Sequence, residues 1–131
     1  MPWFRIDDSF ADHPKVMAIP RTHRTRVVGV WAMCGLWSAK HLTDGFVPAT
    51  LPAENGAKPG DPLLLVNARV HPDGFGLWEA VDGGWLYHDW ADYQPMRKAV
   101  QEKRDATAER VRKWRAERDR NAQLPDNVRA L

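Results

Sequence analysis

The sequence predicts a mainly α fold with a small β hairpin, arranged as a head over residues 1–95, a long basic helix over 96–121 and a flexible tail over 122–131. Three observations predict it. Apolar side chains recur over a wide helical arc from Thr22 or Thr25 to about Leu42, and from Met96 to about Asn121 there is neither glycine nor proline. Asp82-Gly83-Gly84 separates two aromatic-rich runs, and Asp-Gly tolerates the positive φ angles that hairpin turns require. Charge is also uneven: Lys and Arg number 8 against 11 Asp and Glu over residues 1–95, and 10 against 5 over 96–120, within a net charge of +2.

Taken in order, Trp3-Phe4-Arg5-Ile6 is apolar enough to be tied down on the head. Asp12 offers a cap and Pro14 a first-turn residue for a short helix through Ile19, which Pro20 stops. The next helix is the central one, with Val27, Val30, Trp31, Cys34, Leu36, Trp37 and Leu42 on its apolar arc. A lone cysteine in such a segment packs as a small hydrophobe. Thr43-Asp44-Gly45 ends the helix, and Phe46-Val47-Pro48 reads as a short strand that its proline confines to an edge or an end. Thr50 to Asn55 suits one helical turn, and Ala57-Lys58-Pro59-Gly60 a loop.

A further helix starts with Asp61 as cap and Pro62 in first position, running through Val70 to a stop at Pro72 and Gly74. Leu63, Val66 and Val70 share one of its faces and are expected in the core. The two strands, Gly76–Val81 and Trp85–Trp90, form a two-stranded antiparallel hairpin around the Asp-Gly turn. Tyr93-Gln94-Pro95 then marks a boundary. In the basic helix Met96, Val100, Thr107, Val111 and Trp114 trace a thin stripe, sufficient for docking or loose homodimerisation.

Helix, helix, short strand, helical turn, helix, hairpin is the order of a winged helix-turn-helix, in which one helix enters a major groove and the hairpin is the wing. The presented helix would be Asp61–Val70, and its residues with base-reading chemistry are Asn67, suited to adenine, and Arg69, suited to guanine. Phosphate contacts would come from Arg97, Lys98, Lys103, Arg104, Arg110, Arg112, Lys113, Arg115, Arg118 and Arg120, which point around several faces of the basic helix. The alternative for that helix is a solvated surface laced by pairs such as Glu109 with Lys113. Trp114 would stack on a base or pack against a partner helix.

His13-Pro14-Lys15-Val16, Thr43 through Pro48, Gly76-Leu77-Trp78-Glu79 before Asp82-Gly83-Gly84-Trp85, His88-Asp89-Trp90 and Tyr93-Gln94-Pro95 together resemble the N-terminal region of phage and prophage replication-initiation proteins, the replisome-organiser and DnaD-like winged-helix group. The resemblance covers roughly residues 3–95. It implies a DNA-binding domain of phage replication or transcriptional regulation; the longer members carry a second helical domain, which does not follow here, so a helicase-loader role is not implied.

No catalytic centre is expected. The five histidines are far apart, without HExxH or a cysteine partner at ligand spacing, and His88-Asp89, read as adjacent strand residues, would point to opposite faces. Ser9 and Ser38 lack a nucleophile elbow, and no glycine pattern suits a nucleotide. Neither a membrane span nor a signal peptide is legible, so a cytoplasmic location is expected, that of a bacterial host if the gene is phage-borne. The expected partner is double-stranded DNA, with no metal or cofactor. The competing reading is a protein-interaction adaptor or inhibitor that docks a host replication or transcription factor through aromatic surface and tail; RNA is a third candidate ligand.

Overall fold

A computed structural model describes residues 3–123. The expected tail therefore lies outside the described residues from position 124 onward. The chain falls into two units divided after Arg97.

In the first unit a 3-10 turn, Phe10–Asp12, leads into helix α1, Pro14–Met17. Asp12 is not its cap, contrary to the sequence reading. His13 is extended (φ −60°, ψ 137°), which brings its Nδ1 over the Lys15 N–H at 3.1 Å. The α1 end is held by Arg24, whose guanidinium donates to the Met17 and Ile19 carbonyls at 3.0 Å. Helix α2, Arg21–His41, begins directly after Pro20 and buries Val27, Val30, Trp31, Cys34, Gly35 and Ser38, an i, i+3, i+4 stripe. Leu36, expected on that stripe, faces solvent because it lies one residue outside this spacing. Gly35 is glycine because the Phe4 ring rests on it: an added Cβ would meet that ring at 2.2 Å. That contact ties the N-terminal segment to the head, as the apolar start of the sequence suggests.

Strand β1, Phe46–Pro48, follows, then the helical turn α3, Leu51–Glu54, and helix α4, Asp61–Val66. Strands β2, Trp78–Val81, and β3, Gly84–Tyr87, form the hairpin, with Gly83 supplying the positive φ (82°) of its turn. The sheet has three antiparallel strands in the order β1-β3-β2, not two: Phe46 pairs with Leu86 and Pro48 with Gly84. Local periodicity cannot reveal that pairing, since the partners lie about forty residues apart. Both hairpin strands are shorter than expected. At the C-terminal end of β3 the chain turns away at Asp89, a left-handed residue (φ 62°), into an unforeseen helical turn α5, Trp90–Tyr93.

The core joins these elements: Val27, Val30, Trp31 and Cys34 of α2 meet Val47, Leu51, Leu65, Trp78, Tyr87 and Trp90. Tyr87 is central. Its ring packs edge-on to Trp78 and Trp90, and its hydroxyl donates to the Trp31 carbonyl. The second unit is occupied by helix α6, which as an element spans Arg97–Ala122 and has no buried residue. Among the described residues no helix is long and apolar enough to cross a membrane.

Candidate nucleic-acid interface

The geometry of α4 is set by one ion pair that the sequence does not announce. Asp61 is 2% exposed, and its carboxylate accepts from Arg26 of α2 at both oxygens, Nε to Oδ2 and Nη2 to Oδ1, each at 2.8 Å. The same Oδ2 accepts the Lys58 N–H at 2.8 Å, folding the 57–60 loop onto the pair. The Arg26 guanidinium holds the Asp61 carboxyl below its usual range, and Asp61 raises the guanidinium in return. Asp61 is thus the tie between α2 and α4, not the helix cap that the sequence suggests.

That tie turns α4. Asp61, Pro62, Leu65 and Ala68 face inward, whereas Leu63 is 61% exposed and Val70 is also exposed, with Val66 half-buried. The expected core face of Leu63, Val66 and Val70 is therefore wrong: the pairing of buried Asp61 with Arg26 at the helix start goes with Leu65, not Leu63, facing the core. The helix also stops at Val66 instead of continuing to Val70, with Asn67 as its C-terminal cap residue. Asn67 and Arg69 consequently lie beyond the helix end, not on it. Both are exposed and lie together, with Arg69 Nη2 3.3 Å from Asn67 Oδ1 and Nη1 3.5 Å from the Gly74 carbonyl. The outward side of α4 and its end presents Leu63, Asn67 and Arg69, free of any unpaired carboxylate of its own. The β2-β3 hairpin, by contrast, contains Glu79 and Asp82 and no lysine or arginine.

The remaining predicted residues lie on α6. Arg97, Lys98, Lys103, Arg104, Arg110, Arg112, Lys113, Arg115, Arg118 and Arg120 are all exposed. Among the described residues the one ion pair on this helix joins Arg112 to Glu109, in place of the expected Glu109 with Lys113. Arg110 reaches the Thr107 hydroxyl at 3.4 Å, and Arg118 lies 4.9 Å from the centre of the Trp114 ring. Among the described residues no other cation of α6 makes an ion pair.

A cavity of about 270 Å³ in the head is walled by Phe4, Phe10, Trp31, Tyr87 and Trp90. Some of its polar groups are engaged with one another: the Gln94 side chain exchanges hydrogen bonds with the Arg5 backbone (3.0 and 2.6 Å), and His88 Nε2 lies 3.0 Å from Asp89, whereas the buried Trp90 Nε1 has no partner among the described residues. His88 is not a strand residue, and its ring sits between Asp89 and Glu79 while stacking on Phe75. Among the described residues no three His, Cys, Asp or Glu side chains gather where an ion could sit. Cys34 is buried, and desolvation pushes its thiol up to about 12. The structural pairing of Arg26 with Asp61 is not legible in the sequence, because thirty-five residues separate them and each has an ordinary local use, helix surface and helix cap. No family model, curated protein or solved structure matches this chain.

Proposed function

We propose that this is a non-enzymatic, cytoplasmic DNA-binding protein, with a winged helix-turn-helix head and a basic helix that supplies most of the affinity. The observation that carries the reading is α6: a helix with no buried residue, twice as many cations as anions and a single ion pair among its described residues. With only a thin apolar stripe and without a lacing of internal pairs, such a helix gains stability from binding a partner of opposite charge. A duplex, with one phosphate charge for each ~1.7 Å of axis, is such a partner.

The head supports the same reading through its topology. Its order α2, β1, α3, α4, β2, β3 and its sheet order β1-β3-β2 accord with a winged helix in which α4 is the presented helix. Asn67 and Arg69 at the α4 end carry adenine and guanine chemistry. The hairpin, lacking cations, contributes shape and not phosphate contacts. The resemblance to phage replication-initiation proteins points the role toward replication initiation or transcriptional regulation.

Titration of the protein onto a fluorescent duplex in rising salt tests this. Affinity should fall linearly on a log-log plot with slope about −0.9 for each phosphate neutralised. Absence of binding at low salt, or indifference to salt, refutes it. A second reading is favoured by one observation: Met33 and Leu36 are both half exposed on the outer face of α2, beside Gly29, which leaves room for a docked helix. An adaptor for a host replication or transcription protein would retain a stoichiometric partner in a pull-down after nuclease treatment.

A further inference from the structure

The charges of α6 are sorted by face. At 100° per residue, Glu102, Asp105, Glu109, Glu117 and Asp119 all fall on one side of the helix. The opposite sector, about 140° wide, holds Arg97, Lys103, Arg104, Arg110, Arg115 and Arg118 and no acid. Val100, Thr107, Val111 and Trp114 run down the middle of that cationic sector. Trp114 is 59% exposed, the most exposed large apolar side chain among the described residues of the second unit. Arg118, one turn on, covers its ring at 4.9 Å; one turn back, Arg110, Val111 and Thr107 form a shallow notch beside it.

Each candidate occupant of this face meets a different obstacle. A second copy of α6 would bring its own six cations against these six, and like charges at close range oppose the association. A lipid surface needs a broad apolar face, whereas this stripe has two valines, a threonine and one tryptophan. A strand with exposed bases meets neither obstacle: its phosphates match the flanking cations, and an unpaired base has a π face for Trp114. In a duplex the bases are stacked on each other and unavailable.

We infer that the acid-free face of α6 binds single-stranded DNA, with Trp114 as a base-stacking platform and Arg110 and Arg118 holding the adjoining phosphates. This rests on the DNA-binding reading and extends it to the strand state of the ligand: besides its phosphate contacts with duplex, α6 offers its acid-free face to a strand with exposed bases. Stacking of one base on an aromatic side chain makes the single-strand affinity depend on the ring about tenfold or more, and the duplex affinity not at all.

The experiment uses the full chain with a fluorescein-labelled oligo-dT and a mixed-sequence duplex of equal length, in the same buffer. Trp114→Leu should weaken oligo-dT binding about tenfold or more while leaving the duplex within about twofold, and Trp114→Phe should stay near wild type on both. Equal losses on the two ligands, or no loss on oligo-dT, overturn the inference. Wild-type binding to duplex alone overturns it and leaves the DNA-binding reading standing; binding to neither removes both. Light scattering provides a further check: a wild-type dimer that Trp114→Leu makes monomeric would assign the stripe to self-association and overturn the single-strand assignment.

Discussion

Asp61 illustrates how one side chain changes the reading of a helix. At the sequence level it is an acidic residue before Pro-Leu-Leu-Leu, the usual place of a cap; in the fold it is a buried carboxylate held by Arg26 and the Lys58 amide. Because its carboxyl is held below the usual value, the pair stabilises the fold above about pH 4 and loses that contribution as pH falls through the lower folded-state value. Asp61→Asn should therefore be less stable than wild type at neutral pH, with the difference closing in acid; urea midpoints taken across the acid range measure this, and a constant difference would disprove it. Cys34 was legible as a packed hydrophobe, and burial raises its thiol to about 12. At about pH 8, where an exposed thiol of pKa ≈ 8.5 is partly ionised, a thiol reagent should find no reactive group in native protein and one per chain after denaturation.

At the scale of elements, α2 and α6 were the most legible because their signals are local and repeated over many turns. The limits of α6 fall within a residue of expectation, Arg97–Ala122 against Met96–Asn121. Short elements were less so. The α4 helix runs for six residues where ten were expected, and α5 was unforeseen, since one helical turn contains too few residues to establish a period. The division of labour between these elements is testable. Arg112, Lys113 and Arg115 changed together to Ala should weaken all duplex sequences alike and reduce the salt slope by up to about 2.7, three phosphates' worth. Arg69→Ala should instead shift sequence preference, read by competition among oligonucleotides. Equal behaviour of the two variants would contradict the assignment of affinity to α6 and of selectivity to the α4 end.

At the scale of the whole molecule, the acidic residues are concentrated in the head and the excess cations in α6, so the two can be separated experimentally. A chain ended after Pro95 keeps every core residue of the head. It should retain a cooperative thermal transition and lose most duplex affinity at physiological salt; retention of full affinity would relocate binding to the head. The sequence by itself determined the two long helices, the Asp-Gly hairpin, the packed state of Cys34 and the concentration of positive charge after residue 96. Each depends on composition or on neighbours a few residues apart, which is where propensity and periodicity act. Only the tertiary structure decided that Phe46–Pro48 completes a three-stranded sheet, that α4 is turned by Arg26 to expose Leu63, and that Asn67 and Arg69 stand together past its end. The first two depend on partners thirty-five to forty residues away, and a long-range pair leaves no periodic trace in the chain that forms it.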